Sequence, residues 1–102
     1  MNMNKITLSL LTLTLLSACG GVESEAKKAV LDGLKDPDSA KFGKFLLVNE
    51  THACLTVNAK NAMGGYTGDQ QAFLKKDDGK WRFVFSEEVS QKMCAEMWPK
   101  ID

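Results

Sequence analysis

Apolar positions along this chain change period several times, and each change marks an element. Val22, Ala26, Ala29, Val30, Gly33 and Leu34 recur at three- and four-residue spacing, with Lys27, Lys28, Asp32 and Lys35 between them. That spacing predicts an amphipathic helix over about Glu23–Lys35, with Glu23 and Glu25 in its electropositive first turn. Pro37 stops it, because the residue before a proline avoids the helical region. Asp36-Pro37-Asp38-Ser39 is turn chemistry. Phe42–Val48 is rich in Phe, Leu and Val, and Asn49-Glu50-Thr51 can turn the chain. His52–Lys60 alternates cleanly, with Ala53, Leu55, Val57 and Ala59 on one face and His52, Cys54, Thr56, Asn58 and Lys60 on the other. Asn61–Asp69, with three glycines, reads as a longer connection, and Gln70–Lys75 as a weak strand around Phe73 and Leu74. Asp78-Gly79 is a strong hairpin signal, after which Trp81, Phe83 and Phe85 alternate with Arg82 and Val84. Ser86 can cap a last helix with Glu87 and Glu88 in its first turn. Val89, Met93 and Met97 fall on one stripe flanked by Cys94 and Trp98, and Pro99 ends the helix. The order predicts a small α+β domain: an N-terminal helix, three to four antiparallel strands and a C-terminal helix.

One conflict stays open at this level. A disulfide from Cys54 to the last helix requires the polar face of the His52–Lys60 strand to be covered. Either the two helices cover opposite faces of the sheet, or a bulge near Cys54 breaks the alternation.

The first nineteen residues follow a different grammar. Lys5 precedes the apolar run Ile6–Leu16, and small residues follow. This is the layout of a secretory signal peptide, and the 11-residue run is shorter than the roughly 20 residues that a membrane span requires. A buried N-terminal helix is the alternative, but it would have no polar face. Leu16-Ser17-Ala18-Cys19 resembles the bacterial lipobox. The resemblance implies cleavage before Cys19, a diacylglyceryl group on its thiol and acylation of the new amino group. A plain signal peptide cut near Ala18 is the alternative and leaves an unpaired exported thiol. Because one acyl chain binds a membrane only marginally while two or more hold it, such a Cys19 anchors the chain to a lipid membrane. Gly20, in place of the aspartate that retains lipoproteins at the inner membrane, implies the outer membrane, with the domain in the periplasm. The expected organisation is a signal peptide over 1–18, a lipidated tether over 19–22 and one domain over 23–102.

Composition then matters mainly for the mature chain. With 13 basic and 13 acidic residues among 102, the chain is not a polycation built for nucleic acid, and its size allows one domain at most. Removing residues 1–18 leaves 84 residues, and with Lys5 gone 12 basic residues face 13 acidic ones. An exported domain of that size is where core burial is marginal and disulfides are common. Cys54 and Cys94 are the two cysteines available for one, with two buried thiols as the alternative.

Candidate chemistry is sparse. His52 is the only histidine, so no multi-histidine metal site forms, and neither a metal nor another cofactor is expected. At a turn edge it reads as a solvated residue. No Ser or Cys near it suggests a nucleophile, so no catalytic residue is assigned. Asn49-Glu50-Thr51 matches a glycosylation acceptor, a chance match in a bacterial lipoprotein. Gly64-Gly65-Tyr66-Thr67-Gly68 is the one unusual local feature. It lacks the Lys-Ser/Thr of a phosphate loop. Its bland reading is a loop whose glycines supply positive φ, with Tyr66 packed back on the sheet. Its functional reading is a partner-binding tip with Tyr66 as anchor and Asn58, Lys60 and Asn61 as polar rim.

Asp36-Pro37-Asp38-Ser39-Ala40-Lys41-Phe42, Cys54, Val57-Asn58-Ala59-Lys60-Asn61 and Gly64-Gly65-Tyr66-Thr67-Gly68 together resemble small uncharacterised lipoproteins of bacterial and prophage genomes. The resemblance covers about Lys35–Phe73 and brings no activity with it. In that pattern a Phe follows the last glycine sooner, whereas here Asp69-Gln70-Gln71-Ala72 intervenes. The expected function is therefore a non-enzymatic, membrane-anchored binding module with an envelope protein as partner. The alternatives are a phage- or plasmid-exclusion lipoprotein that blocks a receptor, and a small cell-wall enzyme or inhibitor using His52 with a carboxylate.

Overall fold

The computed structural model describes residues 21–102. The expected signal peptide over 1–18 and the expected lipidation site Cys19 lie outside the described residues. Helix α1 spans Gly21–Gly33, starting two residues before its expected position, so Gly21 and Val22 are helical rather than tether. A 3-10 turn at Pro37–Ser39 leads into four strands: β1 (Lys41–Leu47), β2 (His52–Asn58), β3 (Gln70–Asp77) and β4 (Lys80–Glu87). Helix α2 spans Gln91–Ile101. The strands pair antiparallel in chain order, β1-β2-β3-β4. This is the expected α+β domain. Among the described residues no helix is long and apolar enough to cross a membrane.

The helices cover opposite faces of the sheet, which resolves the conflict over Cys54. Ala26 and Val30 of α1 pack with Ala53, Leu55 and Val57 of β2, Ala72 and Leu74 of β3, and Trp81 of β4. On the other face Cys94 and Trp98 of α2 pack with Cys54 and Phe73. The alternation of β2 is unbroken: its odd positions enter the first core, and Cys54 enters the second. Cys54 and Cys94 form the expected disulfide. Fully burying a Leu or Phe side chain contributes about 1.5–3 kcal/mol, so Leu55, Leu74 and Phe73, all fully buried, tie β2 and β3 to both layers.

The irregularities lie in the edge strands. Phe83 pairs with Leu74 but Phe85 pairs with Phe73, leaving Val84 as an unmatched bulge residue. The expected single face of Trp81, Phe83 and Phe85 is therefore divided. Trp81 and Phe83 face α1, whereas Phe85 packs on the second core and stacks on Phe73, with ring centroids 4.4 Å apart. In β1, Phe42 pairs with Val57 and Phe45 with Leu55, so Gly43 and Lys44 together oppose Thr56. That bulge brings Phe42 and Phe45 to the same core despite their three-residue spacing. A bulge in each edge strand also hinders pairing with another chain. Gly33 marks a close approach, since a Cβ there would lie 2.6 Å from the Phe83 ring.

The ends of α2 differ from expectation. Ser90, not Ser86, is its N-cap, accepting from the Met93 amide at 3.1 Å. Ser86 and Glu87 remain in β4, paired with Ala72 and Gln71, because ladder pairing outweighs a local capping preference there. Pro99 lies inside the helix, which runs two residues further, losing only the bond that residue 99 would donate to the carbonyl of Ala95. Cys94 and Trp98 form the buried stripe, while Met93 is exposed. At the β3–β4 turn Asp78 and Gly79 both have positive φ, 50° and 76°, as a two-residue hairpin of the Asp-Gly type requires.

The disulfide closes a loop with a sequence separation of 40. In the chain-entropy model such a closure stabilises by about 4 kcal/mol, a large share of the roughly 5–15 kcal/mol that holds a domain folded. Replacing both cysteines by alanine is expected to lower the unfolding free energy by about that amount. Denaturant unfolding of the variant and of the wild type, with and without reductant, checks it.

Candidate functional site

Two side-chain clusters stand at opposite ends of the sheet. The first is the loop from Ala59 to Asp69, and its conformation follows from a few side chains. Asn61 Oδ1 accepts from the amides of Met63 and Gly65, at 2.9 and 3.2 Å. Asn58 Oδ1 accepts from the Gly68 amide at 3.1 Å. Gly64 and Gly68 have φ of 85° and 89°, conformations that favour glycine. Lys60 and Tyr66 pair across the loop as an isolated bridge. The Tyr66 hydroxyl donates to the Ser39 carbonyl at 3.2 Å, and the Ser39 hydroxyl accepts from the Lys60 amide at 2.9 Å. Each bond of this kind contributes about 0.5–1.5 kcal/mol; together they hold the loop against the 3-10 turn.

The loop therefore combines both readings of the sequence. Tyr66 is packed back by its hydroxyl, yet 43% of it stays exposed. The Lys41 and Lys60 ammonium groups lie 4.6 and 5.6 Å from its ring centroid, at cation–π range. Asn58 and Asn61 turn their carboxamide oxygens inward as struts for the loop backbone. Gly64 and Gly65 shape the turn, and nothing lies within 4 Å of a Cβ built on either. At the tip, Met63 is 94% exposed. Met63 and Lys41 are not identifiable as contact residues from the sequence. Nothing local marks Met63 as a tip residue, and Lys41 lies 25 positions from Tyr66, with no local signal linking them.

The second cluster joins the end of α2 to the start of β2. His52 is not a solvated turn residue: its side chain is only 11% exposed. Its Nε2–H donates to Asp102 Oδ2 at 2.8 Å, and the same oxygen pairs with Lys75 Nζ at 2.8 Å. Nδ1 lies 2.9 Å from Thr51 Oγ1 and 3.0 Å from Asn49 Oδ1, so it has a partner whether it accepts or donates. The ring stands edge-on to Trp98, at 5.2 Å. Trp98 Nε1 donates to the buried Leu74 carbonyl at 2.7 Å. The hydrogen bond from Lys75, then that from His52, holds the Asp102 carboxyl below its ordinary value of 3.8. The hydrogen bond to Asp102 raises Lys75 above 10.5. The arrangement latches α2 onto β2 and β3.

Thr51, His52 and Asp102 also form a hydroxyl–imidazole–carboxylate chain, the order of groups that activates a nucleophile. Its surroundings do not extend that resemblance. Asn49 Oδ1 takes both the Thr51 and the His52 amides, each at 2.8 Å, the backbone donors nearest that hydroxyl.

Asp102, with its pKa lowered by folding, stabilises the protein at pH above 3.8, and that contribution is lost as pH falls through the lowered value. Lys75, with its pKa raised, stabilises below pH 10.5 and ceases to do so as pH rises through the raised value. Asp102→Asn is therefore expected to flatten the loss of stability at both extremes. Thermal unfolding of the two proteins between pH 2 and 11.5 checks this. Comparison of the chain with protein-family models, with curated proteins and with solved structures finds no match in any of the three.

Proposed function

We propose that this chain is a lipid-anchored binding module of the bacterial cell envelope, held through Cys19 and presenting the 59–69 loop to a protein partner. Its membrane is the outer membrane and its domain faces the periplasm, as Gly20 after the lipobox-like Leu16-Ser17-Ala18-Cys19 implies.

One observation supports this reading above the others: the 59–69 loop lies by the end of α1 that is remote from its first residue, Gly21. Helix α1 starts at Gly21, two residues after Cys19. Glu25, Lys28, Ala29 and Asp32 of the helix line a surface cavity with Gly79, Lys80 and Trp81 of the β3–β4 hairpin. At the helix end, Gly33 and Leu34 line another with Ala59, Lys60 and Thr67 of the loop. Thirteen helical residues rise about 20 Å. On this reading the membrane that holds Cys19 lies at the Gly21 end of α1, about a helix length from the loop. Confinement to one membrane raises the effective concentration of anchored proteins, so a weak contact at the loop suffices. The catalytic alternative has less behind it, because the amides beside the Thr51 hydroxyl are already bonded to Asn49.

A photo-crosslinking residue at position 63, incorporated in living cells, is expected to capture one envelope protein. The same residue at position 78, in the β3–β4 turn at the other end of the sheet, is expected not to capture it. Cys19→Ser should move the protein out of the membrane fraction and abolish the adduct. The absence of an adduct from position 63, or the same adducts from both positions, contradicts the reading.

A further inference from the structure

Beside the 59–69 loop, between the end of α1 and the sheet, lies a cavity of about 190 Å³. Leu34, Val57 and Phe83 give it an apolar lining, and Lys35 and Lys60 stand among its polar residues. Lys60 is shared with the neighbouring group, since its ammonium also lies by the Tyr66 ring with that of Lys41. An apolar depression thus continues into a pair of ammonium groups gathered around one aromatic ring.

Among the described residues, Lys35, Lys41 and Lys60 take part in none of the ion pairs, which join Lys27 to Glu23, Lys75 and His52 to Asp102, and Arg82 to Asp77. Asp36, Asp38 and Asp69 belong to the same end of the molecule, yet none comes within ion-pair distance of these lysines. Several backbone donors of the loop are also engaged. The amides of Lys60, Asn61, Thr67 and Gly68 bond to Ser39, Gly65, Ala59 and Asn58 respectively. The loop therefore offers an anion ammonium groups and not the convergent N–H groups of a phosphate-binding nest.

From this we infer that the cavity and the adjoining Lys41–Tyr66–Lys60 group bind an acidic peptide segment of the protein partner, with one apolar side chain seated on Leu34, Val57 and Phe83 and flanking carboxylates meeting Lys60 and Lys41. The inference rests on the binding-module reading and specifies the chemistry of its partner. An anionic lipid headgroup fits less well, because on the binding-module reading the chain is tethered at the Gly21 end of α1, about a helix length from the loop. Recognition of this type is salt-dependent and gains specificity from charge more than from area.

The test uses the full-length protein in detergent micelles and follows its amide resonances during titration with a synthetic pentapeptide, one leucine flanked on each side by two aspartates. Saturable shifts are expected at Lys60, Thr67 and Phe83. Binding should weaken on the order of tenfold when asparagines replace the aspartates, and likewise when serine replaces the leucine. The double variant Lys41→Gln, Lys60→Gln should lose affinity to the same extent while resonances of β2 and α2 stay in place. Vesicles containing anionic lipid should leave Lys60 and Thr67 unshifted. Three results overturn the inference: no saturable shift at these residues, equal binding of the asparagine peptide, or undiminished binding by the double variant. Shifts at Lys60 and Thr67 caused by the vesicles also overturn it, in favour of a lipid surface. If crosslinking from position 63 still captures one protein while the acidic peptide does not bind, the acidic-segment inference fails and the binding-module reading stands.

Discussion

Strand β2 carries buried residues on both of its faces, and that constraint organises the rest of the domain. Ala53, Leu55 and Val57 are buried on one side and Cys54 on the other. A strand that is apolar on one side needs a single covering layer, whereas a strand buried on both sides needs two. The chain provides one helix for each face, from opposite ends of its sequence. Helix α1 lies over the first core through Ala26 and Val30. Helix α2 is held to the second by the Cys54–Cys94 disulfide and by Trp98, which bonds Leu74 and meets the rings of Phe73, Phe85 and His52. A domain of this size has little core to spare, and the covalent link compensates where the second core is smallest.

Dividing the apolar residues between two faces demands a device in β4, and the bulge at Val84 supplies it. Without it Phe85 would share a face with Trp81 and Phe83, and Phe73 would lose its stacking partner. The bulge at Gly43–Lys44 does the converse in β1, bringing Phe42 and Phe45 onto one core. The regular inner strands fix the register, and the edge strands adapt to it. The loop and the His52 latch then occupy opposite ends of the same rigid sheet.

The elements with local signatures were legible in the sequence. The alternation of β2, the Asp78-Gly79 turn and the period of α1 each rest on neighbouring residues, and all three are found. The disulfide was legible from the number of cysteines and the expected compartment, though the faces of β2 could be assigned only in three dimensions. Neither bulge announces itself, because Val84 is an ordinary residue for an alternating strand. Ser86 followed by two glutamates looks like a helix start, yet pairing with β3 keeps it extended. His52 looked solvated because its partners Lys75, Trp98 and Asp102 lie 23 to 50 positions away. In the loop, Tyr66 was recognisable as an aromatic anchor with Lys60 in its polar rim, though not their pairing across the loop. The inward turn of Asn58 and Asn61 was not, since a carboxamide serves equally as a rim group or as a strut.

The division of the sheet into two covered faces is tested most directly by the contacts of a single ring. Nuclear Overhauser effects from the Phe85 side chain, measured on the oxidised protein, report which core it enters. The structure predicts cross-peaks to Trp98 and Phe73 and none to Val30 or Gly33, with Phe83 giving the cross-peaks to Gly33. Cross-peaks from Phe85 to α1 would show a β4 without its bulge, and with it a second core too small to hold α2 in the way described.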